Sequence, residues 1–161
     1  MSVMRRALSA GAAAVLLMTG SGAASAGADG GAVTPESDVA HHGHVSLSDG
    51  RLRISLTTRN HGPSGLEDVT VWLSLSVAPA GVPLLPRGCL RAGERDVLCA
   101  TGPLSADGLG RKVGLELLVA GLPQEVVVRV GTAWNGGASD RDRHNDEHEV
   151  LVPATGDRYV F

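Results

Sequence analysis

Lysine and aromatic side chains are scarce in this 161-residue chain, which has two Trp, one Tyr and one Phe. Lys112 is the single lysine, and the formal net charge is −3 with histidine neutral. An excess of acid argues against an electrostatic nucleic-acid binder, which needs a basic surface to neutralise phosphates. We attribute the preference for arginine over lysine to coding bias rather than to function.

Long apolar runs are missing after the N-terminus, and the run at the N-terminus is typical of a secretory signal. Arg5 and Arg6 precede apolar residues 7–18, and residues 24–26, Ala-Ser-Ala, have the small side chains of a cleavage site. We predict a signal peptide over residues 1–26. Its removal leaves 12 of the 14 basic side chains and all 17 acids. The prediction is a secreted protein with no integral membrane segment after cleavage and no nucleic-acid partner.

Cysteine occurs twice, at Cys89 and Cys99, on either side of LRAGERDVL. Residues 92–94, Ala-Gly-Glu, are a plausible turn between two short strands, which would bring the two sulfurs together. An exported protein meets oxidising conditions, so we predict a disulfide across a hairpin. The alternative is a pair of metal thiolates, but no other Cys or His lies nearby to complete a zinc site.

Amphipathic helices of ten or more residues are missing too, and apolar residues instead recur with a period of two, the pattern of half-buried strands. With the two strands of the cysteine hairpin, the alternation gives about seven short strands, the others lying over residues 51–57, 69–77, 112–120, 125–134 and 148–152. We predict an all-β fold, an antiparallel β-sandwich. Residues 27–43 are interpreted as a flexible leader, and residues 153–161 as a tail that docks on the sandwich.

Turn motifs occur in a recognisable order along these strands. Asn60 to Ser64 reads Asn-x-Gly-Pro-Ser, residues 89–104 hold Cys...Cys-x-x-Gly-x-Leu, and Asp140 to Asp146 reads Asp-x-Asp-x-x-Asn-Asp. The chain resembles the DUF11 family of bacterial extracellular immunoglobulin-like domains. The resemblance covers residues 44–152 and implies that the sandwich there is an immunoglobulin-like antiparallel β-sandwich. It also implies an exported structural or adhesive module, usually without catalysis. Asp146 departs from the second Asn of the family motif, and the motifs occur here in a single copy.

Hard oxygen donors in the loop after residue 139 make it a candidate calcium site, formed by Asp140, Asp142, Asn145 and Asp146. The pattern of an EF-hand loop fails, because Arg143 and His144 stand where the next ligand and the glycine are needed. Asp and Asn also close turns through side-chain bonds to the backbone, and we favour that interpretation. No cofactor is predicted apart from this calcium alternative.

Histidine spacing raises two further metal hypotheses. His144-x-x-Glu147-His148 has the letters of a zinc-peptidase motif, which needs a helix to bring both histidines to one ion. An extended backbone would place the two histidines about 13 Å apart, and we predict a strand here. His41, His42 and His44 could bind a transition metal, but we interpret them as a polar strip of the leader.

Catalytic motifs are not apparent: the predicted mature region has no Gly-x-Ser-x-Gly and no Walker or dinucleotide loop. Trp72 lies by parity opposite the valine face of its strand and is the candidate partner-binding residue, provided that no other segment covers it. We therefore predict a secreted, non-catalytic module that contacts a protein, glycan or cell-wall partner. The alternative is an extracellular metal-binding protein that uses the histidine-rich leader or the acidic loop.

Overall fold

The computed structural model describes residues 33–161, which form strands joined by turns and irregular loops, and no helix occurs among them. The predicted signal peptide, residues 1–26, lies outside the described residues. The strands are β1 (Glu36–Ser37), β2 (Val39–Ser48), β3 (Arg51–Asn60), β4 (Thr70–Leu75), β5 (Cys89–Arg91), β6 (Asp96–Ala100), β7 (Val113–Leu118), β8 (Glu125–Trp134), β9 (Ser139–Asp140), β10 (His148–Pro153) and β11 (Tyr159–Val160).

Two antiparallel sheets pack face to face. One has the strand order β10-β8-β4-β6-β5 and the other β11-β2-β3-β7, while β1 and β9 form a short parallel pair of their own. After the β2–β3 hairpin of the four-stranded sheet, the chain crosses to β4 in the five-stranded sheet. It returns to the four-stranded sheet at β7, which pairs with β3, and crosses again at β8, which pairs with β4. These pairings are those of an immunoglobulin-like sandwich. The predicted fold class is confirmed, with eight strands of three or more residues in the described part rather than about seven.

Alternating side chains form the core between the two sheets. In β3, Leu52, Ile54 and Leu56 are buried while Arg51 and Arg53 are exposed, because successive side chains of a strand point to opposite faces. The same alternation buries residues of β4, β7 and β8. The main core contains Val45, Leu47, Leu52, Ile54, Leu56, Val71, Leu73, Leu75, Val97, Cys99, Val113, Leu115, Leu117, Val119, Val126, Val128, Val130, Val150 and Val152.

The Asn-x-Gly-Pro-Ser turn after β3 is held by the buried side chain of Asn60. Its Oδ1 accepts from the backbone N of Gly62 at 2.9 Å and from that of Asp38 at 3.2 Å, and its Nδ2 donates to the carbonyl of Ser64 at 2.7 Å. A Cβ on Gly62 would lie 2.5 Å from the Cα of Ser37. The motif thus fastens the turn to the segment before β2, which passes too close for any side chain at Gly62.

The prediction of a flexible leader over residues 27–43 is wrong for the segment before β2 and for the start of β2. Residues 27–32 lie outside the described part of the chain. Glu36–Ser37 pairs with β9, and β2 begins at Val39, five residues before the predicted domain boundary at His44. Val39 and His41 are buried. The strand was missed because His41, His42 and Gly43 interrupt its apolar alternation, although the backbone pairs with β3 throughout.

The C-terminal residues also pair with β2. Tyr159–Val160 lies antiparallel to Val45 and His44, and the backbone of Phe161 exchanges two hydrogen bonds with Gly43. The Phe161 ring centroid lies 5.3 Å from that of His148 on β10. The tail therefore adds a short edge strand that lies near β10 of the other sheet.

Among residues 33–161 the structure contains no helix of sufficient length and apolar character to cross a membrane.

Candidate binding cleft beside Trp72

The outer face of the five-stranded sheet carries a row of apolar side chains. Trp72 on β4 is half-buried, and its cross-strand partner on β6 is Leu98, which pairs in turn with Leu90 on β5. Leu90 is exposed. Paired residues of neighbouring strands point to the same face, so the row runs across three strands.

A glycine lies on the other side of Trp72 in the same row. Gly131 on β8 pairs with Trp72, and a Cβ built on it would lie 3.5 Å from Cε3 of Trp72 and 3.8 Å from Cγ of Glu147. The absence of a side chain at Gly131 therefore lets the indole of half-buried Trp72 lie close to the backbone of β8. The resulting cleft has a volume of about 390 Å³ and is lined by Trp72, Arg129, Val130, Gly131, Thr132, Glu147, His148 and Glu149.

Hydrogen-bond donors and acceptors both face this cleft. Nε of Arg129 donates to Oε2 of Glu149 at 2.6 Å, which fixes the guanidinium beside the opening. Glu147 is exposed and forms no ion pair within the described part of the chain. Nε2 of His148 is buried and has no hydrogen-bond partner among residues 33–161. The cleft therefore combines one aromatic side chain with several charged and polar groups.

Behind the cleft, a buried histidine joins the two sheets. Nδ1 of His41 lies 3.0 Å from Oγ1 of Thr58, and its Nε2 lies 2.9 Å from Oγ1 of Thr132. Burial, with smaller contributions from His148 and His42, lowers the pKa of His41 from 6.5 to about 4. His41 is therefore neutral at physiological pH, with one ring nitrogen as donor and the other as acceptor.

Buried Asp146 lies beside the same group. Burial raises the pKa of its carboxyl, and a hydrogen bond from Thr132 offsets part of that effect. If Thr132 donates to Asp146, its oxygen is free to accept from Nε2 of His41, and Nδ1 then accepts from Thr58. The polar chain thus supports the strand end that carries Gly131.

Two of the four calcium candidates, Asp140 and Asp142, use their carboxylate oxygens to close the loop on itself and on the N-terminal segment. Oδ2 of Asp140 accepts from the backbone N of Val39 at 3.0 Å, and its Oδ1 accepts from that of Asp142 at 3.1 Å. Oδ1 of Asp142 accepts from the backbone N of His144 at 3.0 Å. Nδ2 of Asn145 donates to Asp38 at 2.8 Å. These are the bonds of a turn, with Asp146 pointing inward toward Thr132.

The histidines of the two metal hypotheses lie in turns and strands, where their side chains do not converge on one point. Residues 142–147 form turns and His148 begins β10, so no helix brings His144 and His148 onto one face. His41 is buried between two threonines, whereas its neighbour His42 points outward. Within residues 33–161, no group of three or more His, Cys, Asp or Glu side chains is placed to hold a metal ion.

The predicted disulfide is present between Cys89 and Cys99, which are directly paired residues of β5 and β6. The hairpin turn is closed by the backbone N of Ala92, which donates to the carbonyl of Asp96 at 2.9 Å. The bridge ties the outermost strand of the five-stranded sheet to its neighbour, at one end of the apolar row.

Comparison with known proteins adds little to this geometry. No protein family model and no curated protein matches the chain. A solved structure of β-glucosidase 3B from Thermotoga neapolitana, in complex with α-D-glucose, is similar to 78% of this chain at 18% identity and a TM-score of 0.40. The matched part is 17% of the glucosidase chain. A match at this level says nothing about activity.

Sequence reasoning singled out Trp72 but missed the residues around it. Gly131 was not among the predicted site residues, and Glu147 was considered only as part of a zinc motif. A glycine in the middle of a strand is itself a signal, since it often marks a close approach of backbone or ligand. Its pairing with Trp72 depends on the register between β4 and β8, which alternation does not specify.

Proposed function

We propose that the protein is a secreted, non-catalytic immunoglobulin-like module that binds a glycan of the cell envelope through the cleft beside Trp72. The observation that carries the proposal is the half-buried indole of Trp72 beside Gly131, in a cleft of about 390 Å³ that both residues line. The signal-like N-terminus and the turn motifs that resemble DUF11 domains support an exported binding role.

The chemistry around the indole favours a polyhydroxylated ligand over a purely apolar or purely charged one. Sugar rings present C–H faces that can pack on an aromatic ring and hydroxyls that both donate and accept hydrogen bonds. Arg129 supplies donors, and Glu147 supplies acceptors with no ion-pair partner in the described residues. Leu98 and Leu90 extend the apolar row for a chain longer than one sugar.

The proposal includes no bond-breaking step. Of the two carboxylates at the cleft, Glu149 is held in an ion pair by Arg129 at 2.6 Å. The loop carboxylates at Asp140 and Asp142 are bound to backbone amides. The cleft is thus equipped to hold a ligand by packing and hydrogen bonds.

Co-sedimentation with purified, protein-free cell-wall polysaccharide tests the proposal. The variants are Trp72→Ala, which removes the indole, and Gly131→Leu, which fills the cleft beside it. Trp134→Ala is the matched control, because Trp134 is 57% exposed and does not line the cleft. We expect retention of the wild type and of Trp134→Ala, with affinity reduced about tenfold in the two cleft variants, the effect of losing roughly 1.4 kcal/mol.

Equal retention of all four proteins would show that the cleft is not the binding surface. No retention of the wild type would rule out this class of partner. Envelope proteins offered in the same assay give the competing outcome, since loss of their binding in Trp72→Ala would replace a glycan with a protein partner at the same cleft.

A further inference from the structure

The outer face of the four-stranded sheet, opposite to the Trp72 cleft, has a groove of its own. Strand register places His44 of β2 beside Ser55 of β3, and Ser55 beside Gly114 of β7. This row has small side chains in the middle of the sheet and at its β7 edge. The neighbouring row contains Arg53 and its partner Glu116, whose longer side chains form one wall.

Gly114 has no structural need to be a glycine. A Cβ built on it would meet nothing within 4 Å, and its φ is not among the positive values of the chain. Glycine in the interior of a strand costs stability relative to residues that favour strands. The missing side chain at Gly114 leaves open space above the sheet. This space is a groove of about 490 Å³ lined by His44, Arg53, Ile54, Ser55, Lys112, Gly114, Leu115, Glu116 and Arg158.

The groove is basic although the chain as a whole is acidic, with a net charge of −3. The one carboxylate that lines it, Glu116, accepts hydrogen bonds from both Arg51 and Arg53, which lower the pKa of Glu116 and hold it ionised. Lys112 and Arg158 form no ion pair within residues 33–161. Lys112 is also the only lysine of the chain.

We infer that this groove binds the phosphate groups of an anionic polymer, with Lys112 and Arg158 as the principal cationic ligands and Ser55 on the floor beneath them. Arg and Lys side chains are the usual partners of phosphate, since each supplies charge-assisted hydrogen bonds. Arg53 bonds to Glu116 through Nε at 3.2 Å, which leaves the rest of its guanidinium to face the groove. A polymer fits better than a free ion because the groove crosses the strands and ends at the β7 edge of the sheet, where the chain of the ligand can continue into solvent.

The test is titration of the purified protein with labelled inorganic polyphosphate, with inorganic phosphate in a second arm. Lys112→Gln/Arg158→Gln removes the two unpaired cations, and Arg87→Gln/Arg143→Gln is the control with the same change in net charge at exposed positions outside the groove. Gly114→Val keeps every charge and fills the floor. Thermal unfolding verifies that each variant is folded.

We expect both groove variants to weaken polyphosphate binding about tenfold and the charge control to weaken it less than about twofold. The slope of log affinity against log salt should also fall by about two in Lys112→Gln/Arg158→Gln. Equal losses in the groove and control doubles, or unchanged binding by Gly114→Val, would overturn the inference. Tighter binding of inorganic phosphate than of phosphate units in the polymer would overturn the assignment to a polymer. Trp72→Ala, tested in parallel, should bind polyphosphate normally, because the two surfaces lie on opposite sheets.

Discussion

Nε2 of His41 lies 2.9 Å from Oγ1 of Thr132, which links β2 of one sheet to β8 of the other through the interior of the sandwich. The second ring nitrogen is bonded to Thr58 of β3, so the imidazole has no capacity left for water. A buried polar group is stable when each of its atoms has a partner, and this one also specifies how the sheets align. The contact lies directly behind the strand that carries Gly131.

Protonation of His41 should destabilise the fold in acid. The unfolded chain takes up the proton near pH 6.5, whereas the folded protein resists it until about pH 4 because of burial. His41 therefore costs no stability above pH 6.5, and as the pH falls through this window the unfolded state is favoured by up to about 1.4 kcal/mol per pH unit. Denaturant unfolding between pH 7.5 and 4 should show a smaller pH dependence in His41→Gln than in the wild type.

His42→Gln is the control for that measurement, because His42 lies on the same strand and is exposed. Its unfolding free energy should follow the wild-type curve. A wild-type slope that survives in His41→Gln would assign the acid sensitivity to other groups.

Replacement of Asp146 by Asn should stabilise the protein at neutral pH. Burial raises the pKa of this carboxyl, which means that the folded state disfavours its ionised form. The cost is absent below the unfolded pKa and grows as the pH rises through the raised folded pKa. We expect Asp146→Asn to increase the free energy of unfolding at pH 7 by about 0.5 to 1 kcal/mol, since the amide oxygen can still accept from Thr132.

Asp142→Asn is the control that separates the effect of burial from the effect of the lost charge, because Asp142 is exposed in the same loop. That variant should leave stability nearly unchanged at pH 7. A loss of stability in Asp146→Asn would mean that the carboxylate makes a favourable interaction that its burial does not suggest.

The sequence predicted the strands whose alternation is regular and failed where polar residues face inward. β8 was predicted with its observed limits, Glu125–Trp134, because its valines alternate cleanly. β2 was not predicted, and the domain boundary was placed inside it at His44, since His41 is buried through bonds to threonines on other strands. The Trp72 cleft was missed for a similar reason, because it is formed by pairing between strands that are distant in sequence. Local patterns therefore specified the elements, and the register between them determined the site.

Loss of the Asn60 side chain should destabilise the fold far more than an average polar substitution. Asn60 is fully buried and serves the turn, the segment before β2 and the loop after β6 at once. Asn60→Ala would leave several buried backbone groups without partners, at a cost of about 3 kcal/mol in the free energy of unfolding. Asn135→Ala is the control, because Asn135 makes one bond to a nearby carbonyl at 2.9 Å. Similar losses in the two variants would contradict the central role of Asn60.

The acidic loop should stabilise the protein without calcium. Asp140 accepts from the backbone of Val39 and of Asp142, so Asp140→Ala removes a link between the loop and the start of β2. We expect it to lower the free energy of unfolding by about 1.5 to 3 kcal/mol, the range for hydrogen bonds to a charged group. Asp142→Ala, which loses one bond within an exposed turn, should cost less than about 1 kcal/mol.

The same unfolding series, repeated in calcium and in a chelator, separates turn chemistry from ligation. A ligand that binds only the folded state at a hundred times its Kd stabilises it by about 2.7 kcal/mol. Identical wild-type curves in the two conditions are expected, because the oxygens of Asp140 and Asp142 already bond to backbone amides. A wild-type protein stabilised by calcium, with the effect abolished in both alanine variants, would instead establish the loop as a calcium site and support the alternative of an extracellular metal-binding protein.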